Sequence, residues 1–207
     1  GVSGQYDFDI GNVFSEAWEK TNGAKGTVIL AFVFCIIIQL VASLVLSFLI
    51  RALDLGAIGQ LIYQLLLMLI VTPLNAGIFI IGLKRAVEAP IVASSVFDFY
   101  SMIFRLFFVS VLMTVLILIG FVLLIVPGIY LSIAYTLAIP LVADKNMGIW
   151  EALEISRKAV TKKWFVFFLF FILLGLINFV AALPLLIGLI WSLPMSIIAM
   201  GIIYRNV

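Results

Sequence analysis

Residues 106–143 read LFFVSVLMTVLILIGFVLLIVPGIYLSIAYTLAIPLVA, and this stretch decides how the rest of the chain is arranged. Its 38 positions carry no charge, and Val126-Pro127-Gly128 interrupts them with a sequence typical of a tight turn. The stretch therefore predicts a membrane hairpin. At about 1.5 Å per residue, 106–126 covers roughly 30 Å, one hydrocarbon core, whereas 128–143 covers only about 24 Å, so whether 128–143 crosses the whole bilayer stays open.

The composition indicates an integral membrane protein. Of 207 residues, 66% are hydrophobic and only 11% are charged. Soluble domains usually carry about a quarter of their residues as Asp, Glu, Lys or Arg, so these charges are too few to coat a soluble surface. No polar stretch is long enough to bury a core of its own, and we expect one membrane domain, 1–207. Cys35 is the single cysteine, which excludes an intramolecular disulfide.

Four further uncharged runs are long enough to cross a bilayer. The first is too long for the apolar core of a signal peptide, so we interpret it as a transmembrane helix. The second contains Pro73 near its middle, which predicts a kink. The expected fold is an all-α polytopic membrane protein with six transmembrane helices. Its predicted spans are 26–50, 55–83, 106–126, 128–143, 164–183 and 185–204.

Three amphipathic segments, 9–22, 94–105 and 148–163, precede the first, third and fifth spans. They are predicted to be helices on the cytoplasmic membrane surface, because their apolar residues recur at helical spacing. In 148–163 the carboxylates occupy the early turns and the basic residues the late ones, an order that complements the helix dipole. The basic residues are Arg157, Lys158, Lys162 and Lys163, flanked by Trp150 and Trp164.

The basic residues predict the orientation of the chain. Six spans place 11 of the 12 Lys and Arg residues on one side, and only Arg51 on the other. By the positive-inside rule the side with eleven is cytoplasmic, so both termini are expected in the cytoplasm. An odd number of spans would scatter these residues over both faces.

A threefold repeat of helical hairpins is a further expectation. A surface helix, a span, a tight outer turn and a second span follow one another in 9–83, 94–143 and 148–204. Pro73 stands eleven residues before Lys84, and Pro194 stands eleven before Arg205. Ordinary membrane constraints would also produce hairpins of similar length, and this alternative stays open.

Several short motifs carry a resemblance to known proteins. The motifs are Pro127-Gly128-Ile129-Tyr130-Leu131, Ala138-Ile139-Pro140-Leu141-Val142-Ala143-Asp144, Glu151-Ala152-Leu153 with Ser156 and Thr161-Lys162-Lys163-Trp164, and, more loosely, Gly77, Arg85 and Phe97-Asp98-Phe99. They resemble a broad group of bacterial integral membrane proteins related to the membrane domain of glycerophosphodiester phosphodiesterases. The resemblance implies a protein of the bacterial inner membrane. In that group the phosphodiesterase is a separate soluble unit that carries the catalytic and metal-binding residues. This chain has no histidine, and the activity is not carried over.

The sequence favours a protein that is not an enzyme. With no histidine, histidine-based acid and base catalysis and histidine-ligated metal sites are excluded. No nucleophile elbow, phosphate-binding loop or metal-spaced carboxylate pair is present, so we expect no catalytic residues, metal or cofactor. The net charge of +2 is small and the basic run lies beside the membrane, so nucleic-acid binding is not expected.

Two candidate sites follow from the residues that remain. Arg157, Lys158, Lys162, Lys163, Trp150 and Trp164 are predicted to bind lipid headgroups, since basic residues near a membrane surface attract anionic lipids. They would also serve simply to fix the topology. Gln60, Gln64, Asn75 and Asn178 are candidates for a polar cavity. Hydrogen bonding between helices is the alternative role for these four side chains.

The leading functional hypothesis is a non-enzymatic inner-membrane protein that acts through lipids or partner proteins, for example in envelope maintenance. Membrane lipids, including anionic ones, are the expected partners, and a homo-oligomer or a second membrane protein is compatible with the Gly- and Phe-rich helix faces. The alternative is a small transporter or channel for a neutral or amphipathic solute, which would require a continuous polar cavity.

Overall fold

The computed structural model describes residues 9–207, which form helices and, within that range, no strand. The predicted all-α class is confirmed. The α-helices are α1 Ile10–Thr21, α2 Lys25–Ala52, α3 Gly56–Ala86, α4 Ile103–Leu123, α5 Ile125–Ala134, α6 Ala138–Lys145, α7 Ile149–Lys162, α8 Trp164–Ala182 and α9 Leu189–Asn206, and a 3₁₀ helix Ala93–Met102 leads directly into α4.

Six helical segments of the described residues are long and apolar enough to cross a membrane. The prediction of a multi-pass membrane protein is thereby confirmed at the level of length and composition. These segments are Lys25–Ala52, Gly56–Ala86, Ala93–Leu123, Ile125–Lys145, Trp164–Ala182 and Leu189–Asn206. Their ends differ from the predicted ones most clearly in the central hairpin.

The turn of the central hairpin lies at Leu124, and the predicted position at Pro127-Gly128 is wrong. Leu124 is extended, with φ −163° and ψ 154°, and α5 begins at the next residue. Pro127 is the third residue of α5. The N–H groups of the first turn have no partner within a helix, so the missing N–H of proline costs no helical hydrogen bond there. Gly128 lies against the ring of Phe121, and a side chain there would collide with that ring. The fourth segment therefore has 21 residues, about 31 Å, rather than the predicted 16.

A short break at 135–137 divides this fourth segment into α5 and α6. Ser156 of α7, which is fully buried, satisfies the backbone at the break. Its hydroxyl donates a hydrogen bond to the carbonyl of Ala134 (2.7 Å) and accepts one from the N–H of Leu137 (3.1 Å). Since an unpaired buried backbone group is costly, this side chain stabilises the interrupted helix.

The centre of the bundle is the crossing of α3 and α9. At this crossing Gly201 lies against the backbone of Gly82, and an added Cβ would stand 2.6 Å from the Gly82 carbonyl carbon. Gly82 in turn lies against the backbone of Ile197. Small residues let membrane helices approach in this way. One turn and a half earlier, Gly77 makes room for Val96 of the 3₁₀ helix.

Pro73 lies inside α3, and the neighbouring 3₁₀ helix contacts the turn before it. Proline has no N–H for the carbonyl four residues earlier, that of Leu69. The Tyr100 hydroxyl donates a hydrogen bond to the next carbonyl, that of Ile70, at 2.9 Å. A contact from another helix thus stabilises the turn of α3 that the proline weakens.

α1 docks on the ends of α3 and α9 through buried Val13 and Ala17 and through charge. Arg205 forms two hydrogen bonds with the Glu16 carboxylate (2.8 and 3.0 Å). Arg205 and Lys20 both donate to the Ala86 carbonyl (2.8 and 2.6 Å). Two cations at the last carbonyls of α3 complement the negative end of its dipole.

We predict that Gly201→Ala lowers the thermal stability of the detergent-solubilised protein. The added methyl group meets the Gly82 backbone, which cannot move aside as a side chain would. Overpacking of this kind costs about 1–3 kcal/mol. Gly175→Ala is the matched control, because nothing lies within 4 Å of its Cβ position in α8. The melting temperature, followed by tryptophan fluorescence, should fall only for Gly201→Ala, and equal values would contradict the close crossing.

The stability that the Glu16–Arg205 contact gives to the docking of α1 should depend on pH. The hydrogen bond from Arg205 is the main cause that lowers the pKa of Glu16 below its ordinary value of 4.5. A carboxyl group whose pKa is lowered on folding stabilises the folded state at pH values above its ordinary pKa. This stabilisation is lost as the pH falls through the lowered pKa. Glu16→Gln should therefore lower the melting temperature at pH 7, with the difference from the native protein shrinking below pH 4.5. Exposed Glu19, changed to Gln, is the control on the same helix, and a difference independent of pH would contradict the assignment.

Candidate functional sites

Two basic residues of α7, Arg157 and Lys158, share one carboxylate, that of Glu154. Arg157 forms two hydrogen bonds with Glu154 (Nε to Oε2 3.0 Å, Nη2 to Oε1 2.8 Å), and Lys158 lies 3.2 Å from the same carboxylate. The hydrogen bond from Arg157, assisted by Lys158, lowers the pKa of Glu154 to about 2. The same contact raises the pKa of Arg157. Glu154 is therefore ionised at neutral pH and neutralises one of its two partners.

The groups of α7 most open to a ligand are Lys158, Lys162 and Trp150. The Lys158 side chain is 51% exposed despite its ion pair, which is the arrangement of a weak surface contact. Lys162 is exposed in the last turn, and Trp150 is 64% exposed in the first turn. Lys163, directly after α7, is half-buried.

Trp164 is a packing residue that joins α8 to α5. Its ring stacks on Tyr130 (6.2 Å between centroids) and on Phe168 (5.1 Å). Its indole N–H donates to the Tyr130 carbonyl at 3.2 Å, and the Tyr130 hydroxyl lies 2.6 Å from that of Thr161. Of the two tryptophans predicted to contact lipid headgroups, the structure leaves Trp150 exposed and engages Trp164 internally.

Gln64 and Asn75 are brought together in a groove of about 310 Å³ on the outside of the bundle. α2 contributes Gln39 to this groove, and α4 contributes Ser110 and Thr114. Gln39, Gln64 and Asn75 are exposed, although all three belong to candidate membrane spans. Polar groups are costly in hydrocarbon unless they are hydrogen-bonded.

The other two predicted cavity residues lie elsewhere. Gln60 lines a second groove of about 490 Å³ together with Arg51 and Asp54, at the turn between α2 and α3. Asn178 lies between α8 and α9, where its amide group donates to the Leu174 carbonyl (2.9 Å) and to the Ser196 hydroxyl (2.8 Å). The hydrogen bond to Ser196 joins α8 to α9. It corresponds to the alternative role predicted for Asn178, hydrogen bonding between helices.

A pocket of about 580 Å³ opens among the ends of α3, α6, α7 and α9 and was missed by sequence reasoning. Its walls are largely apolar, with Asp144, Lys145 and Arg205 at the charged end. Tyr204 donates a hydrogen bond to Asp144 at 3.0 Å, and Lys145 lies 3.2 Å from that carboxylate. No sequence signal links α6 to α9, because 60 residues separate Asp144 from Tyr204.

By the length and composition of its helices the protein is a multi-pass α-helical membrane protein, and polar grooves lie on the outside of its bundle. Within residues 9–207, no group of three or more His, Cys, Asp or Glu residues is arranged to hold a metal ion. No protein-family model, curated protein or solved structure matches the chain. Functional inference therefore depends on the geometry of these sites.

Proposed function

We propose that the protein is a non-enzymatic protein of the bacterial inner membrane that acts through lipids or partner proteins, and that α7 binds anionic lipid headgroups. The amphipathic character of α7 carries this proposal. Its Ala152, Leu153 and Val160 are buried against the bundle, while Lys158 and Lys162 are exposed. A helix of this kind at a membrane surface attracts anionic lipid by about 1 kcal/mol per basic residue.

The proposed orientation places α7, α1 and both chain ends in the cytoplasm, with α1, the 3₁₀ helix and α7 as surface helices. Its support is the positive-inside rule together with contacts among the charged segments. Glu16 contacts Arg205, and Lys20 lies 3.3 Å from Glu88. Arg105 donates hydrogen bonds to Asn146. These segments would have to share one side of the bilayer.

The order of the helices bears on the proposed threefold repeat. α1 precedes the first two membrane-length segments and α7 precedes the last two, whereas the 3₁₀ helix is the first part of the third segment, Ala93–Leu123. The second unit also departs from the others in its broken fourth segment.

We also propose kinship with the membrane domain of glycerophosphodiester phosphodiesterases, on the basis of the sequence motifs alone. Kinship would place the protein in the bacterial inner membrane and would imply no catalytic role.

The alternative of a channel or transporter through the middle of the bundle has less support. Apolar side chains fill the contact between α3 and α9, where Leu74, Ile81, Ile198 and Ile202 are each no more than 1% exposed. Asn178, one of the four predicted cavity residues, is hydrogen-bonded between α8 and α9. The exposed carboxamides instead line grooves on the outer surface of the bundle.

We predict that removing two exposed charges from α7 weakens binding of an anionic lipid. In the Lys158→Gln/Lys162→Gln variant, Arg157 and Glu154 remain paired, so the local structure is kept. At about 1 kcal/mol per charge, the affinity for phosphatidylglycerol should fall by roughly tenfold to thirtyfold. Native mass spectrometry in mild detergent, with increasing phosphatidylglycerol, measures this affinity.

The control is Lys84→Gln/Lys145→Gln, which removes the same charge from the same end of the bundle. Lys145, like Lys158, lies 3.2 Å from a carboxylate, so one ion pair is lost in each variant. Binding should be retained in this control, and neutral phosphatidylcholine should not distinguish the variants. An equal loss in both variants, or no loss in either, would contradict headgroup binding by α7.

A further inference from the structure

The polar depressions on the outside of α2, α3 and α4 are parts of one continuous surface. A middle depression of about 290 Å³ shares Gln39 and Leu67 with the groove that contains Asn75. It shares Tyr63 with the groove that contains Arg51 and Asp54. We call the whole surface the polar groove. Its polar lining residues come from α2 and the turn after it, from α3 and from α4. They are Gln39, Ser43, Ser47, Arg51 and Asp54, then Gln60, Tyr63, Gln64, Thr72 and Asn75, and finally Ser110 and Thr114.

Helical spacing explains why these polar residues converge. Gln39, Ser43 and Ser47 follow one another at four-residue intervals and therefore share one face of α2. Gln60 and Gln64 are related in the same way on α3, as are Ser110 and Thr114 on α4. Antiparallel packing of α2 on α3 aligns two of these faces. The result is a row of polar groups along the membrane-facing side of the bundle.

Several of these groups have no hydrogen-bond partner of their own. Ser110 is only 4% exposed, yet its hydroxyl has no partner in the described part of the chain. The carboxamides of Gln39, Gln64 and Asn75 are exposed and make no side-chain hydrogen bond within residues 9–207. Hydrocarbon offers no hydrogen bonds, so polar atoms at this depth need a polar partner.

The polar groove extends through much of the bilayer. From Gln60 to Asn75 the distance along α3 is about 22 Å, compared with a hydrocarbon thickness of roughly 30 Å. On α4, Ser110 lies only five residues, about 8 Å, from Arg105 at the charged end of the bundle. A ligand held at one fixed depth would not need polar groups over such a length. A headgroup that moves along the groove would need them.

We propose that the polar groove is a path along which the headgroup of a zwitterionic phospholipid crosses the bilayer while its acyl chains remain in the hydrocarbon. The groove is open to the side, as this movement requires. Its interior carries carboxamides and hydroxyls, which donate and accept hydrogen bonds without favouring either charge. Arg51 and Asp54 line one end, so a phosphate and an ammonium group each find an opposite charge there. The proposal is independent of lipid binding by α7.

A second copy of the chain would be the other way to satisfy these polar groups. The headgroup is favoured because the surface consists of three adjoining depressions of about 490, 290 and 310 Å³, and because it ends at a pair of opposite charges. Two copies in contact would instead need matching ridges on the same surface.

The test is a lipid-scrambling assay on the full chain in sealed phosphatidylcholine vesicles. The probe is phosphatidylethanolamine with a fluorescent label on an acyl chain, so that its headgroup is intact. Dithionite, which does not cross the bilayer, quenches only the outer leaflet in protein-free vesicles, about half of the signal. The native protein should allow nearly complete quenching, whereas a rate no faster than that of protein-free vesicles would overturn the proposal.

The test variant is Gln39→Leu/Gln64→Leu/Asn75→Leu, which makes the centre of the polar groove apolar. These side chains are exposed, so the bundle should still assemble, and we expect scrambling to slow at least tenfold. Asn178→Leu is the matched control, since it removes a carboxamide from a candidate span outside the groove and should scramble like the native chain. Equal rates for the triple variant and the native chain would overturn the proposal.

Two further outcomes would also overturn it. Entry of dithionite itself, detected as loss of an entrapped soluble dye, would indicate a channel rather than a headgroup path. A native dimer that becomes a monomer in the triple variant, together with absence of scrambling, would assign the surface to a second copy. Mass photometry of the same preparations gives the oligomeric state.

Discussion

The close approach of α3 and α9 at Gly82 and Gly201 is the contact on which the rest of the bundle depends. It fixes the end of α3, whose Ala86 carbonyl then accepts hydrogen bonds from Lys20 of α1 and Arg205 of α9. α3 also packs against α2, α4 and the 3₁₀ helix, so its position sets theirs. A side chain in place of either glycine would separate the two helices and displace the partners of both.

The position of α3 also decides where the polar residues lie. Its buried side meets α9 through Leu74 and Ile81, whereas Gln60, Gln64 and Asn75 face outward beside α2 and α4. On α7, Glu154 pairs with both Arg157 and Lys158, and the side chains of Lys158 and Lys162 remain exposed. The two proposed lipid sites thus lie on separate parts of the bundle, a basic helix at one end and a polar surface along its side.

Much of this fold follows from the sequence, since uncharged runs, divided by turn residues within 106–143 and 164–204, predicted six membrane-length segments. The local chemistry of Pro127-Gly128 suits a turn as well as the first turn of a helix, and packing of Gly128 on Phe121 decides between them. The break after Ala134 depends on a hydroxyl from Ser156, 22 residues away. Gln39, Gln64 and Ser110 are recognisable as intramembrane polar residues, but only the packing of three helices brings them together.

The six-span arrangement, and with it the cytoplasmic position proposed for α7, requires that the fourth segment, Ile125–Lys145, crosses the membrane, and cysteine labelling tests this most directly. In a Cys35→Ser background, Leu53→Cys and Lys145→Cys place single thiols at exposed positions after the first and fourth segments. A membrane-impermeant maleimide applied to sealed vesicles of one orientation should label one of them, and the other only after permeabilisation. Labelling of both from the same side would contradict the six-span arrangement.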